Sequence, residues 1–383
     1  MRRLLVYICV VVLVEVMLGS AIAPLLPDLR DELGLAKWEA GVLVAMYALG
    51  IIIWSIPSAR LTVRLGPRAG VVIGLLMLGA SSLAFGVFDT VWLLDLSRLV
   101  QGAAAAMCWT AGLAWLVAAT SSERRGEVLG IAIGVALVGA LLGPAIGGGA
   151  AAVGRGIMFG ACAGMMVLLA LAALALGPAP RFVDQPVRML FRAARDRTVG
   201  AGLWLLALPG LLLGTVIVLG PLRLEEAGWG VLGITITFVV AAGFEATTNP
   251  IAGRMSDRLG RVPVLRVGLA AAAASSIVLP LVGNRWATAG LIIAAGVSYS
   301  FFWSPSIALV MDRAEQIGLS TTMSLGLTNL AFAPGALAGS ALAGVLAASL
   351  GDLAPFALVA ALALVTLVLL GRLQIGDDDP SAV

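Results

Sequence analysis

Residues 4–27 read LLVYICVVVLVEVMLGSAIAPLLP, an apolar run that contains one charged side chain, Glu15. About 20 apolar residues are enough for a helix to cross a hydrocarbon core of about 30 Å. Arg2 and Arg3 precede the run as in a secretory signal, but Glu15 interrupts it and comparable runs follow along the chain. We therefore expect residues 4–27 to be a membrane-spanning helix rather than a cleaved leader.

Similar runs recur along all 383 residues, each ended by charges, proline or glycine. Hydrophobic residues make up 61% of the chain and charged residues 12%, with a mean hydropathy of +1.06. Soluble globular domains do not have this composition. The predicted fold is all-α and membrane-integral, with twelve spans at 4–27, 38–58, 70–88, 90–118, 128–152, 156–177, 199–221, 230–252, 263–283, 286–311, 322–348 and 354–371.

The basic residues predict the orientation of these spans. With the N-terminus inside, eighteen of the 24 lie in cytoplasmic segments and five on the opposite face, while Arg98 lies within a span. Because basic residues concentrate in cytoplasmic loops, we expect a multi-pass protein of the inner membrane with both termini in the cytoplasm. The net charge of +3 reflects this topology and does not indicate nucleic-acid binding.

An internal repeat divides the spans into two halves. Arg64-Leu65-Gly66 aligns with Arg258-Leu259-Gly260 at an offset of 194 positions, about half of the 383 residues. Between the halves lies a basic stretch that contains three prolines. The predicted organisation is a first half at 1–177, a linker at 178–198, a second half at 199–372 and a tail at 373–383.

Three motifs carry the functional interpretation. The second repeat copy reads GRMSDRLGR over 253–261 and supplies Gly253, Asp257, Arg258, Gly260 and Arg261; the first copy keeps Arg60, Arg64 and Gly66 but has Val63 in place of the acid. We expect glycine to allow a sharp turn, the acid to accept a charge-assisted hydrogen bond, and the arginines to anchor the loop.

The other two motifs lie within spans. The fourth span contains Arg98-x-x-Gln101-Gly102, and an arginine at bilayer depth is costly and usually functional. The fifth span contains Gly139, Gly143, Pro144, Gly147 and Gly148, whose spacing permits close helix packing and a proline bend. The alternative for these glycines is general small-residue packing in a chain with 47 glycines.

Together these motifs resemble those of the major facilitator superfamily, in particular the drug:proton antiporter branches. The resemblance implies two six-helix halves related by pseudo-symmetry, a cytoplasmic latch at 253–261, an intramembrane arginine motif at Arg98 and an antiporter motif in the fifth span. It also implies multidrug efflux, with a small-molecule substrate, protons and membrane lipid as the partners. No cofactor, metal or nucleic acid is expected, and the protein is expected to be a monomer.

Two buried charges are candidates for proton coupling. Glu15 lies roughly 17 Å into the first span and Arg98 roughly 14 Å into the fourth from the opposite side, so their depths match. We expect the two side chains to reach each other or one substrate, since both helices line the cavity of the resembled fold. Asp95, one turn from Arg98, is an equally good partner for the arginine, and a purely structural ion pair is the alternative role for Glu15.

Further candidates line the predicted cavity. Glu245 is expected in the cytoplasmic third of the eighth span, where it would contact substrate, help to close the inner side or bond a neighbouring helix. Trp109, Tyr299, Trp303 and Asn329 are expected to face the cavity, because aromatic faces suit cations and flat hydrophobic ligands. Core packing is the alternative for each ring.

These features favour proton-coupled efflux of a small hydrophobic molecule, neutral or cationic. The sequence shows no catalytic constellation for an enzyme and no glycine-rich phosphate loop for an ATP-driven pump. A proton-coupled uptake symporter and a non-transporting receptor or sensor remain as alternatives.

Overall fold

A computed structural model describes residues 2–121, 124–176, 193, 195–319 and 321–372. Twelve helical segments in these ranges are long and apolar enough to cross a membrane, which confirms the predicted fold class. Most of the predicted linker and the whole tail lie outside the described residues. The helices are α1 (Arg2–Ser20), α2 (Ile22–Leu33), α3 (Lys37–Leu65), α4 (Pro67–Val87), α5 (Val91–Ala118), α6 (Arg125–Val153), α7 (Arg155–Ala175), α8 (Arg197–Glu226), α9 (Val231–Leu259), α10 (Arg261–Val278), α11 (Arg285–Gln316), α12 (Thr321–Leu350) and α13 (Leu353–Arg372), with a 3-10 turn at Leu279–Leu281. The first two helices form one span, Arg2–Leu33.

The backbone repeats at the same offset as the sequence. Helices α3 and α9 each contain 29 residues and begin 194 positions apart, as do α4 and α10, and α5 and α11. Gly66 and Gly260, which end α3 and α9, have φ/ψ of 86°/156° and 84°/161°. This region of conformational space is open essentially to glycine alone, so both copies need glycine here.

The 253–261 signature is mostly helical rather than a loop. Gly253 lies inside α9, and of the two signature glycines it is Gly260 at which the chain turns. The predicted span ended at 252, whereas the helix continues to Leu259. Hydropathy marks only the apolar part of a helix, and the polar turns that extend beyond it carry no such signal.

The two halves meet mainly along two helix pairs, α3 with α12 and α6 with α9. A Cβ atom at Gly41 would lie 3.0 Å from Gly344 Cα, and one at Gly148 would overlap Thr235. The first contact needs glycine because the two backbones approach closely, whereas at Gly148 glycine makes room for the Thr235 side chain.

Glycine also governs the contact between α1 and α6. Cβ atoms at Gly139 and Gly143 would lie 2.6 Å from the carbonyl oxygens of Leu13 and Met17, and one at Gly147 would overlap the carbonyl of Ala21. Three glycines of the fifth-span motif therefore lie on a face of α6 that packs against the first span, whereas Gly148 faces α9. Pro144 lies within the same helix.

Candidate functional site

Tyr47 joins the two buried charges of the first half. Its hydroxyl donates a hydrogen bond to the Glu15 carboxylate at 2.9 Å. The central carbon of the Arg98 guanidinium lies 4.7 Å from the centroid of the same ring, a cation–π contact. Glu15 is 5% exposed and Arg98 is 3% exposed, so both groups are held away from solvent.

Small residues bring the three helices of this cluster together. A Cβ atom at Gly19 would lie 2.6 Å from the Tyr47 hydroxyl, and one at Gly102 would overlap the Tyr47 carbonyl oxygen. A Cβ atom at Gly50 would overlap the carbonyl oxygen of Leu99. The close crossing of α3 and α5 therefore places the tyrosine ring beside the arginine.

Neither ion pair predicted for Arg98 forms. The guanidinium instead donates to Gln101 Oε1 at 2.8 Å and to the Gly19 carbonyl at 3.3 Å. Gln101 follows Arg98 by one helical turn, so the guanidinium points away from Asp95, which precedes it. The Asp95 Oδ1 atom is buried and has no hydrogen-bond partner among the described residues. Glu15 and Arg98 are linked through Tyr47, which the sequence analysis missed.

A second intramembrane acid lies in the other half. Glu245 is at the midpoint of α9, which extends as polar turns beyond the predicted end of the span at 252. Its carboxylate lies over α11 at Gly296, where a Cβ atom would be 2.7 Å from Glu245 Oε1. This carboxylate makes no hydrogen bond or ion pair within the described ranges.

Hydrogen bonds between hydroxyl and amide groups fix α9 against α11. Thr248 Oγ1 bonds Ser300 Oγ at 2.9 Å, and Ser304 Oγ donates to Asn249 Oδ1 at 3.1 Å. These bonds lie one and two turns along α11 from Gly296, and they hold Glu245 of α9 opposite Gly296.

Three aromatic rings cluster near Glu245, two on α11 and one on α12. Tyr299 and Trp303 are stacked, with centroids 5.3 Å apart and planes 19° apart. Phe332 of α12 meets both rings edge-on, at 5.0 Å from Trp303 and 6.5 Å from Tyr299. Phe332 was not predicted, because a phenylalanine in an apolar helix carries no distinguishing signal.

The remaining cavity candidates are less well defined. Trp109 on α5 is half-buried, and its indole N–H has no partner in the described part of the chain. It does not join the ring cluster of the second half. Asn329 lies in α12, but its side chain is outside the described residues.

One charged group of the 253–261 signature forms an ion pair within the second half. Arg261 pairs with Asp312 of α11. Asp257 and Arg258 are exposed, as are Arg60 and Arg64 of the first copy. Asp257 lies within electrostatic range of Arg261 of the same signature. Among the described residues, the ion pair that this signature forms lies within the second half.

A neighbouring ion pair fixes the start of the second half. Arg313 Nη2 lies 2.9 Å from Asp196 Oδ2, and Asp196 also caps α8 by accepting from the backbone N–H groups of Thr198 and Val199. The hydrogen bond from the Arg313 guanidinium is the main cause that lowers the pKa of Asp196 below its ordinary value of 3.8.

The opposite end of the bundle has ion pairs that do join the halves. Lys37, at the start of α3, lies 2.7 Å from Asp352 and 3.4 Å from Glu226. Arg223 lies 3.7 Å from Asp352 and also donates to the carbonyls of Pro280 and Val282 at 2.9 and 3.1 Å. We call Lys37, Arg223, Glu226 and Asp352 the end network. Lys37 is the only lysine of the chain.

Comparisons with known proteins agree with this architecture. A family model described as Major Facilitator Superfamily matches residues 8–333 and 215–382. Multidrug resistance protein 1 of Bacillus subtilis is 31% identical over 150 residues, 39% of each chain. Quinolone resistance protein NorA of Staphylococcus aureus is 31% identical over 139 residues, 36% of each chain. The chain thus spans about two fifths of the length of these curated relatives.

One solved structure matches almost the whole chain. A bacterial homologue of the human lysosomal transporter Spinster, in an inward-facing and occupied conformation, superposes with a TM-score of 0.79. The sequences are 15% identical, and the match covers 97% of both chains. At this identity the likeness concerns the fold alone.

Proposed function

Since this chain belongs to the Major Facilitator Superfamily, and is thus a transporter rather than an enzyme, we propose that it exports a small hydrophobic molecule, neutral or cationic, in exchange for protons. The observation that carries the proposal is the buried carboxylate of Glu15, held by Tyr47 beside Arg98. The relatives named for multidrug and quinolone resistance support the efflux direction.

Glu15 suits proton exchange because of its surroundings. A carboxyl group at membrane depth is costly when charged unless a donor or cation stabilises it. The Tyr47 hydroxyl supplies the donor at 2.9 Å, and Arg98 supplies positive charge across the ring. With 5% exposure, Glu15 leaves no room for a large ligand, so a proton is the species that it would bind.

Arg98 is also the reason for proposing a neutral or cationic substrate. It is the only basic residue predicted inside the membrane, and its guanidinium already bonds Gln101 and Gly19 and stacks on Tyr47. An anionic substrate would need a free cation in the cavity. The described spans offer unpaired acids instead, at Asp95 and Glu245.

Alternating access requires that the halves separate at one end at a time. The end network crosses between the halves, whereas the Arg261–Asp312 pair stays within the second half and the Arg313–Asp196 pair joins α11 to the residue that caps α8. We propose that the end network closes the outer side, and that this conformation faces the cytoplasm. The similarity to an inward-facing transporter supports this assignment.

The test is gradient-driven transport by purified protein in proteoliposomes. Glu15→Gln should abolish accumulation driven by a proton gradient while substrate exchange at equal pH continues, because only the proton site is lost. Glu32→Gln is the matched control, since Glu32 is an exposed acid at the end of the same span. Retention of gradient-driven accumulation by Glu15→Gln would refute the proposal.

A further inference from the structure

The second half carries an acid that has no described partner. Glu245 lies at the midpoint of α9, and its carboxylate packs on Gly296 of α11 without a hydrogen bond or ion pair in the described ranges. Glu15, by contrast, has the Tyr47 hydroxyl. An unpaired carboxylate at membrane depth is expensive, and such groups usually mark a ligand pathway.

The aromatic rings continue from this carboxylate along one face of α11. Gly296, Tyr299 and Trp303 are spaced by three and four residues, so they lie on the same side of the helix. Tyr299 lies one turn along α11 from Gly296, the residue that contacts the Glu245 carboxylate. Its ring stacks on Trp303, and Phe332 meets Trp303 edge-on. Tyr299 lies within electrostatic range of the Glu245 carboxylate. A carboxylate beside stacked rings is the combination that binds an organic cation.

The internal repeat shows that this chemistry is specific to one half. At the offset of 194, Trp303 corresponds to Trp109, but Glu245 corresponds to Ile51 and Tyr299 to Ala105. The first-half cluster shows the converse, because Tyr47 corresponds to Ala241 and Arg98 to Ile292. The halves therefore share a backbone, while each carries polar groups that the other lacks.

We infer that the substrate binds in the second half, as a lipophilic organic cation held by Glu245 and the rings of Tyr299, Trp303 and Phe332. This inference rests on the proposed export function and adds the substrate class and its site. The proton site at Glu15 is then separate, and a proton and a substrate do not compete for one carboxylate.

Coupling between the sites would pass through the interface of the halves. Tyr47 lies on α3 and Phe332 on α12, and these two helices pack together along the interface. Glu245 lies on α9, which packs against α6, and α6 packs against the Glu15 helix α1. Each site therefore contacts the helix pair that must slide when the halves rock.

The test measures binding of tetraphenylphosphonium and of neutral triphenylphosphine oxide to the purified full chain in detergent, by calorimetry. We expect Glu245→Gln to weaken cation binding roughly ten-fold or more, with less than about a two-fold change for the neutral compound. Glu15→Gln should lose proton-driven transport yet bind the cation within about two-fold of wild type.

Ring variants provide the second comparison. Trp303→Ala should weaken binding of both compounds, whereas Trp92→Ala, at a tryptophan that is 63% exposed on α5, should weaken neither. Thermal unfolding of each variant checks that the fold persists. If wild type and Glu245→Gln bind the cation equally, or if Glu15→Gln loses more affinity, the substrate does not bind at a separate site around Glu245. Proton-coupled export would still stand in that case. A wild-type protein that neither binds nor transports organic cations would overturn the site, whereas loss of gradient-driven transport altogether would overturn the proposed function.

Discussion

Tyr47 presents its hydroxyl to Glu15 and its ring face to Arg98, so the two contacts can be separated by substitution. Tyr47→Phe keeps the ring under the guanidinium and removes only the donor. A hydrogen bond to a charged group is worth about 1.5–3 kcal/mol, so we expect proton-driven transport to fall about ten-fold or more.

Tyr7→Phe is the matched control for this variant. Tyr7 is a buried tyrosine of the same half whose hydroxyl donates to the Leu169 carbonyl at 2.9 Å, away from the charges. Its loss should lower stability without lowering transport in the same proteoliposome assay. Equal transport by Tyr47→Phe and wild type would show that the Glu15 contact has no part in coupling.

Single residues differ in how far the sequence could predict them. Glu15 and Arg98 are conspicuous because charges are rare in apolar helices, and their matching depths follow from the helical rise. Tyr47 carries no such signal, and its place depends on Gly50 and Gly102, which allow α3 and α5 to cross closely. The same crossing turns Arg98 away from Asp95, so the sequence could not decide which partner the arginine takes.

At the scale of the helices, the α1–α6 contact depends on glycine at defined positions. A Cβ atom at Gly147 would overlap the Ala21 carbonyl, whereas Gly134 on the same helix has nothing within 4 Å. We expect Gly147→Ala to lower the free energy of unfolding by about 1–3 kcal/mol, because overpacking forces the helices apart. Gly134→Ala should be neutral or slightly stabilising, since alanine favours the helix. Denaturant titration in detergent measures both, and similar losses would contradict the packing account.

Asp196, which caps α8, should make the stability of the protein depend on pH. The Arg313 bond lowers the pKa of Asp196, so its contribution to stability is present above about pH 3.8 and is lost as the pH falls through the lowered pKa. Asp196→Asn keeps a capping side chain but removes the charge, and should cost about 1 kcal/mol or less at neutral pH. The difference from wild type should shrink as the pH falls from 3.8 through the lowered pKa of Asp196. A difference that persists on acidification would show that the carboxylate charge is not its source.

The number of membrane-spanning helices could be predicted from the sequence, but the positions of their ends could not. Hydropathy locates all twelve spans, because each must bury its backbone in a hydrocarbon layer of fixed thickness. The C-terminal end of α9 continues for seven residues beyond its predicted end, so Glu245 lies at the helix midpoint and Gly253 lies within the helix.

At the scale of the whole molecule, the end network is the only group of ion pairs among the described residues that joins the halves. Lys37→Gln removes the cation that bridges Asp352 and Glu226, so we expect the outer ends of the halves to separate more often. Spin labels at the exposed residues Phe88 and Leu281, one in each half, would report this as a longer-distance population in double electron–electron resonance.

The control for this measurement is a variant at the opposite end. Asp312→Asn breaks the Arg261 pair within the second half, and should leave the outer distances unchanged. The three native cysteines would be replaced beforehand so that only the labelled sites react. If Lys37→Gln gives the wild-type distance distribution, the end network does not hold this side closed.

The division into halves was visible in the sequence because the repeat keeps one offset across three successive helices. Contacts between the halves were not, since Lys37 and Asp352 are 315 positions apart and no periodic pattern relates them. That each half carries polar groups absent from the equivalent positions of the other half becomes clear only when the repeat is combined with the structure.

The central claim is that protons move opposite to an organic cation. In proteoliposomes loaded with a pH-sensitive dye, addition of ethidium outside should raise the internal pH, because each cation that enters drives a proton out, and Glu15→Gln should remove this signal. A fall in internal pH on ethidium entry would mean symport, and entry of ethidium without any pH change would mean uncoupled transport; either result would contradict the account.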